Sequence, residues 1–389
     1  MSHFDTLETR SQDEREAGQL TLLNGLLDQQ GQRPLDNLSG LASLPVLRKA
    51  ELSERQKARP PFGGLPVGDI VHYFQSPGPI YEPGGVSNDW WRMGRFLHAL
   101  GVGRGDIVHN CFGYHLTPAG MIFENGARAV GAAILPAGTG QTELQVRAAA
   151  DIGSTVYAGT PDYLKIILEK ADELGERLKI HRAAVSGGAL FPSLRQYYAD
   201  RGISCLQVYA TAELGNIAYE SPAMEGLIMD EGVIVEIVRP GSDRPVPDGE
   251  VGEVVVTSLN PDYPLIRFAT GDLSAILPGT SPCGRSNRRI KGWMGRADQT
   301  TKIKGMFVRP EQVAQLVARH DEIARARVVA SREGEMDIMT VQIETRATNP
   351  ALYEPSIVAT LKMRAHVELL PPGALPNDGK VIEDRRSYE

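Results

Sequence analysis

Cysteine is scarce in this chain: three among 389 residues, Cys111, Cys205 and Cys283, far apart and odd in number. A disulfide framework is therefore not expected, and a reducing cytoplasm is the natural setting. No cysteine pair stands at CxxC distance, and the eight histidines form no HxxxH or HExxH pair, so a tetrahedral zinc site is excluded as the organising feature. An excess of one charge is also lacking. The 41 basic and 48 acidic residues leave a net charge of −7 with no long run of either sign, which argues against nucleic acid as a partner. Long apolar runs are missing too: the longest stretch without a charged residue, 107–123, contains Asn110, Pro118 and two histidines. That stretch does not read as a membrane span, and the polar first twenty residues hold no apolar signal core. No GxSxG elbow occurs, so Ser186 reads as a turn residue.

What is present is ordinary globular composition, 42% hydrophobic and 23% charged, in a length that suggests two to three folding units. From about 70 to 209 short apolar segments alternate with amphipathic ones, the rhythm of a parallel sheet covered by helices. Strands are expected at 106–110, 132–136, 155–159, 183–188 and 205–210. Thr160 can cap a helix that has Pro161 in its first turn and carries the apolar stripe of YLKIILEKADEL. Past Glu220, GVIVEIV and GEVVVTSL are β-branched and separated by the turn formers of PGSDRPVPDGE, so a β-rich subdomain follows. PEQVAQLVARH, ARVVAS, DIMTVQIE and the amphipathic run PSIVATLKMRAHVELL then read as a small α+β domain.

One motif is a decoy. GTSPCGRS at 279–286 has Walker A spacing with Arg285 in place of lysine, yet NRRIKGWMG follows instead of an apolar helix, so a loop is expected. More telling is an ordered series: LPVLRKAEL at 44–52, GRGDIVHNCFGYHLTPAG at 103–120, SGGALFP at 186–192, QVYATAE at 207–213, YPLIRFATGDL at 263–273, GRADQTTKIKGMFVRPEQV at 295–313 and GKVIEDRR at 379–386. In order and spacing this series resembles the adenylate-forming (acyl-CoA synthetase) superfamily, most closely its phenylacetate-CoA ligase branch.

The resemblance implies a large N-terminal domain of layered α/β sheets with a β-rich subdomain, residues 1–295, and a small mobile α+β C-terminal domain, 296–389, hinged at Asp298. It implies an enzyme that uses ATP, Mg2+ and coenzyme A. A carboxylate attacks the α-phosphate of ATP, pyrophosphate leaves, and the acyl-adenylate is cleaved by the thiol of CoA. Such chemistry needs charge stabilisation and positioning more than a strong base. By the same resemblance Asp272 accepts hydrogen bonds from the ribose hydroxyls, and Glu213 is the magnesium carboxylate. Tyr209 flanks the adenine, with Thr211, Gly187 and Gly188 around the nucleotide. Arg267, Arg296 and Lys304 approach the phosphates or ribose, and Lys380 is the C-terminal lysine that serves adenylation. Phe112, Tyr114 and His115 lie in the acid-pocket loop, which favours an aromatic or arylacetic acid. A homodimer is implied as well. Taken alone, Asp272 after Gly271 would be a turn residue, Glu213 a helix-start carboxylate and Lys380 a surface lysine.

The sequence departs from the branch at its phosphate-binding loop, SSGTTGKP, where residues 76–83 read SPGPIYEP. Pro79 and Ile80 replace two threonines, Tyr81 a glycine and Glu82 a lysine; proline lacks an amide donor and an ionised glutamate would repel a triphosphate. Ala189, Ala212 and Ala269 also replace polar residues usual in the branch. Two readings follow: an acid-thiol ligase whose triphosphate is held by magnesium, Arg296, Lys304 and Lys380, or a divergent relative that binds nucleotide or CoA ester without adenylating.

Overall fold

The computed structural model describes residues 2–76, 79–297, 299–304, 306–333 and 336–386. It divides into two compact units, one of residues 1–235, 256–268 and 277–292, the other of 236–255, 269–276 and 293–389.

The first unit is built on five parallel strands, Ile107–Asn110, Ala133–Pro136, Val156–Gly159, Arg182–Val185 and Ser204–Thr211. They lie within a residue or so of the segments read from the apolar runs, except that the fourth ends at Val185 and leaves 186–188 as a turn. Val156, Tyr157 and Ala158 are fully buried, as expected of a strand covered on both faces. Helices Ala119–Ala129, Thr142–Ile152, Pro161–Leu174 and Pro192–Asp200 make the crossovers. Pro161 opens its helix as expected, and Leu164, Ile167, Leu168 and Ala171 form the buried stripe. Thr160 stands at the cap with extended backbone, but its side chain makes no cap hydrogen bond; the proline, which needs no amide partner, does that work alone. The sheet continues antiparallel through Gly215–Tyr219, Leu227–Met229 and Arg289–Ile290.

Two features at the start of this unit bear on the site. Arg15 is buried against Glu231 at 3.0 Å, and Arg285 against Glu8 at 2.5 Å. Residues 279–286 are thus the expected loop, and the arginine that mimics a phosphate-binding lysine is spent on a buried ion pair. Second, the segment that spans SPGPIYEP is a β-hairpin: Ile70–Ser76 pairs antiparallel with Ile80–Gly85, Phe74 opposite Glu82 and Ser76 opposite Ile80. Pro77 and Gly78 lie outside the described residues.

The second unit holds a four-stranded sheet in the order His366–Leu370, Met336–Glu344, Arg325–Glu333, Ile382–Asp384. Its core joins Val328, Val341 and Ile343 to Leu316 of helix Pro310–Val317 and Ile357 of helix Glu354–Leu361. The run 355–370, one amphipathic segment by its spacing, is a helix and a strand in the structure. Lys362 caps the helix in left-handed conformation (φ 61°), and His366–Leu370 then pairs parallel with Met336–Glu344. Val367 and Leu369, both packed on the core, fit period two as well as they fit a helix face.

Candidate active site

In the first unit the site candidates gather at the carboxyl end of the central strands, where open α/β sheets bind ligands. Tyr209 and Thr211 end strand Ser204–Thr211, and the pairing with Gly215–Tyr219 is interrupted by a bulge between Tyr209 and Ala210. Thr211 Oγ1 accepts the amide N–H of Leu214 at 3.3 Å, closing the turn that carries Glu213. Glu213 is buried, and Lys49 Nζ stands 2.6 Å from its Oε1. Lys49 was not singled out in the sequence, although LPVLRKAEL contains it. A carboxylate taken out of water with a cation at hand is a hard oxygen donor already arranged for positive charge, so its chemistry fits a magnesium ligand.

Glu82 changes the meaning of the hairpin. Its carboxyl is buried and shares a 2.5 Å hydrogen bond with Ser76 Oγ. Burial lifts its pKa to about 8, helped by the charge of Glu213 and opposed by the Ser76 bond and Lys49. The shift favours the protonated carboxyl at neutral pH, which weakens the repulsion of a triphosphate expected from an ionised Glu82. The backbone on the other face of this strand is held by Gln56, whose side chain bonds both N–H and C=O of Tyr81 at 2.8 Å.

Gly187 is left-handed (φ 72°) and exposed, and a Cβ on it would lie 3.9 Å from Phe112 Cε1. The glycine turn and the aromatic loop are thus neighbours. Gly188 follows, where a Cβ would meet Pro161 at 3.3 Å. Phe112 is buried and stacked on Phe123 with centroids 4.4 Å apart. The Tyr114 hydroxyl accepts a hydrogen bond from Asn110 Nδ2 at 2.8 Å, and burial with Glu124 nearby pushes its pKa above the ordinary phenol value. His115 is exposed. Arg267 has a different surrounding from that expected of a nucleotide arginine: it is fully buried, and its guanidinium donates to the carbonyl of Leu44 at 2.5 Å. Its own carbonyl accepts from Leu47 at 2.9 Å, so it ties the 44–47 segment to the core.

In the second unit, Asp272 Oδ1 accepts from Arg296 Nη1 at 2.8 Å and from Trp293 Nε1 at 3.1 Å. Gly271 (φ 74°) makes room for this: a Cβ there would come 2.5 Å from Arg296 Nη2. Arg296 and Lys380 line one cleft of about 240 Å³ together with Leu273, Met294, Gln299 and Asp384. The structure thus brings Asp272, Arg296 and Lys380 into one neighbourhood. Lys304 lies elsewhere in this unit, in the turn between Thr301–Ile303 and Met306–Val308, with its amide bonded to Asp337 at 3.1 Å. Asp298, the hinge expectation, is outside the described residues. Among the described residues no group of three or more His, Cys, Asp or Glu side chains could hold a metal ion, which leaves Glu213 as a single-carboxylate candidate.

No family model matches the chain. A phenylacetate-coenzyme A ligase of Pseudomonas putida is 30% identical over 332 residues, 80% of this chain and 73% of the relative. The chain belongs to the phenylacetate-CoA ligase family. A ligase of the same description from Escherichia coli K12 is 29% identical and covers 94% of this chain and 88% of its own. Among solved structures, an open conformation of 2-hydroxyisobutyryl-CoA ligase in complex with 2-HIB-AMP and CoA superposes with a TM-score of 0.70 at 22% identity, over 95% of this chain and 91% of that one. The fold is thus that of an adenylate-forming ligase. Tyr209, Glu213, Asp272, Arg296 and Lys380 are site candidates from the sequence; Lys49, Trp293 and Gln299, which the structure places in contact with Glu213, Asp272 and the backbone beside Lys380, are not among them. Lys49, the single lysine of LPVLRKAEL, and Gln299, within GRADQTTKIKGMFVRPEQV, both stand in segments of the ordered series; Trp293 stands in neither.

Proposed function

We propose that this chain is an ATP-dependent acid-thiol ligase that converts an aromatic or arylacetic acid to its CoA thioester through an acyl-adenylate. The observation that carries this reading is the 30% identity, over most of both chains, to a protein described as phenylacetate-coenzyme A ligase. The burial of Glu82 beside Ser76, which favours its protonated form, weakens the repulsion that its charge would oppose to a triphosphate.

In this reading the Asp272 carboxylate, held in one orientation by Arg296 and Trp293, receives the ribose hydroxyls, and the Arg296 guanidinium faces the phosphates. Tyr209 flanks the adenine, with Thr211, Gly187 and Gly188 shaping the floor. Phe112, backed by Phe123, and Tyr114 offer aromatic walls for the acid, with His115 at the mouth. Glu213 would hold magnesium, which supplies neutralisation of phosphate charge. Lys380 and Lys304 contribute positive charge in the first half-reaction. Residues 296–389 act as a lid that turns about Asp298 between half-reactions, and the enzyme works in the cytoplasm as a homodimer. Arg267 serves the fold.

The test is incubation of the purified chain with ATP, Mg2+, CoA and phenylacetate or benzoate derivatives, with product analysis by mass. Acid-dependent formation of AMP and the matching CoA thioester supports the reading. Binding of AMP with no thioester from any acid would turn it toward the non-adenylating relative.

A further inference from the structure

Lys380 stands on a short segment that leads into edge strand Ile382–Asp384, and its backbone is gripped from several sides. The side-chain amide of Gln299 makes three hydrogen bonds around it: Nε2 donates to the carbonyl of Gly379 at 3.0 Å, and Oε1 accepts the amides of Val381 at 2.6 Å and Ile382 at 2.9 Å. One donor and two acceptor contacts fix which end of the amide is oxygen, and together they bracket Lys380 from both sides. Arg327 Nε adds a bond to the Lys380 carbonyl at 3.0 Å, and Asp378 Oδ1 accepts the Lys380 amide at 3.0 Å. Gly379 (φ 69°) is confined as well, because a Cβ there would lie 2.6 Å from Val251 Cγ1. The lysine is thus a long flexible side chain mounted on a backbone with almost no freedom of its own.

We propose that Gln299 is a positioning residue for Lys380: its amide sets the point from which the ammonium group reaches into the cleft it shares with Arg296. This inference rests on the role proposed above for Lys380. Arg327 is fully buried and ion-paired with Asp378 and Glu383, so its loss would disturb the whole unit. Gln299 is partly exposed and lines the cleft itself, so its amide can be changed with less effect on the core. A point charge delivers its effect only where it is placed, and a displacement of about 1 Å in a positioning group can cost on the order of 100-fold in rate.

The test compares the full-length wild type with Gln299→Ala, Gln299→Glu and Lys380→Ala in two assays, acid-dependent ATP–pyrophosphate exchange and thioester formation from supplied acyl-adenylate. Gln299→Ala is expected to lower the maximal exchange rate roughly 10- to 100-fold. KM values for ATP and acid should change little, and so should the second half-reaction. Gln299→Glu keeps the two accepted bonds and should recover much of the rate. Amide hydrogen exchange gives an activity-independent readout: Val381 and Ile382 should lose protection at least tenfold in Gln299→Ala. Wild-type exchange activity in Gln299→Ala beside a crippled Lys380→Ala would overturn the inference and leave the role of Lys380 standing. Full activity in both variants would instead overturn that role. Unchanged protection of residues 381 and 382 would refute the clamp itself.

Discussion

Lys49 holds its ammonium nitrogen 2.6 Å from the buried carboxylate of Glu213. The lysine is two-fifths exposed, whereas the carboxylate is nearly enclosed, so the partner that suffers from separation is the glutamate. Removing one member of such a pair leaves a buried charge without compensation.

Lys49→Ala should therefore destabilise the chain by about 1–3 kcal/mol, a value below that of a fully buried pair because water reaches the lysine. If Glu213 is the metal carboxylate, Mg2+ at millimolar concentration should restore much of the lost melting temperature in the variant and add little to the wild type. Differential scanning calorimetry with EDTA and with Mg2+ decides the matter. Equal magnesium responses in both proteins would remove Glu213 from the metal site.

The contrast between Lys49 and the central strands shows what the sequence made legible. Strands 107–110, 156–159 and 204–211 declare themselves because β-branched or apolar runs end in glycine or polar residues, and a buried parallel sheet needs little more. Asp272 and Arg296 were legible from motif order alone. Their convergence with Trp293 on one oxygen was not: Arg296 and Trp293 both donate to Asp272 Oδ1 from positions 24 and 21 residues further along the chain. Glu82 differs for a physical reason: a glutamate in a loop is read as charged, and only the hairpin that buries its carboxyl, next to the charge of Glu213, favours the neutral form against the pull of Ser76 and Lys49. The burial of Arg267, with its guanidinium donating to the carbonyl of Leu44, had no pattern of its own in the sequence. The segment 355–370 split because its apolar spacing serves both a helix and a strand.

Glu82 makes stability depend on pH in a defined direction. Its native pKa of about 8 lies above the ordinary value of 4.5, so the folded chain binds the proton more tightly than the unfolded chain. The contribution is complete below pH 4.5, declines as pH rises, and is lost above pH 8. Glu82→Gln, which cannot ionise, should flatten this component, so that the variant gains on the wild type between pH 5 and pH 9 by the order of a few kcal/mol. Urea unfolding across that range measures it. Parallel pH profiles would show that Glu82 is ionised in the native state.

Asp272 and Arg296 are expected to act as a unit on nucleotide. Asp272→Ala removes the proposed ribose acceptor and frees Arg296, and charge-assisted hydrogen bonds are worth about 1.5–3 kcal/mol each. AMP affinity should fall at least tenfold by titration calorimetry. Gly271→Ala should weaken it by a separate route, since the new methyl would displace the Arg296 guanidinium. Unaltered AMP binding in both variants would take this pair out of the nucleotide site.

Asp298→Pro tests the hinge. A fixed backbone angle at the turning point should hold one conformation and disable one half-reaction far more than the other. Pyrophosphate exchange and thioester formation from supplied acyl-adenylate, measured on the same preparation, separate the two. An equal loss of both would place the hinge elsewhere.

The most direct test of the central claim is ATP–pyrophosphate exchange by the wild-type chain, with Mg2+ and a panel of phenylacetate, substituted benzoates and short aliphatic acids. The account predicts exchange that requires the acid and is strongest with an aromatic or arylacetic member of the panel. Absence of exchange with every acid, in a folded chain that still binds AMP, would contradict it.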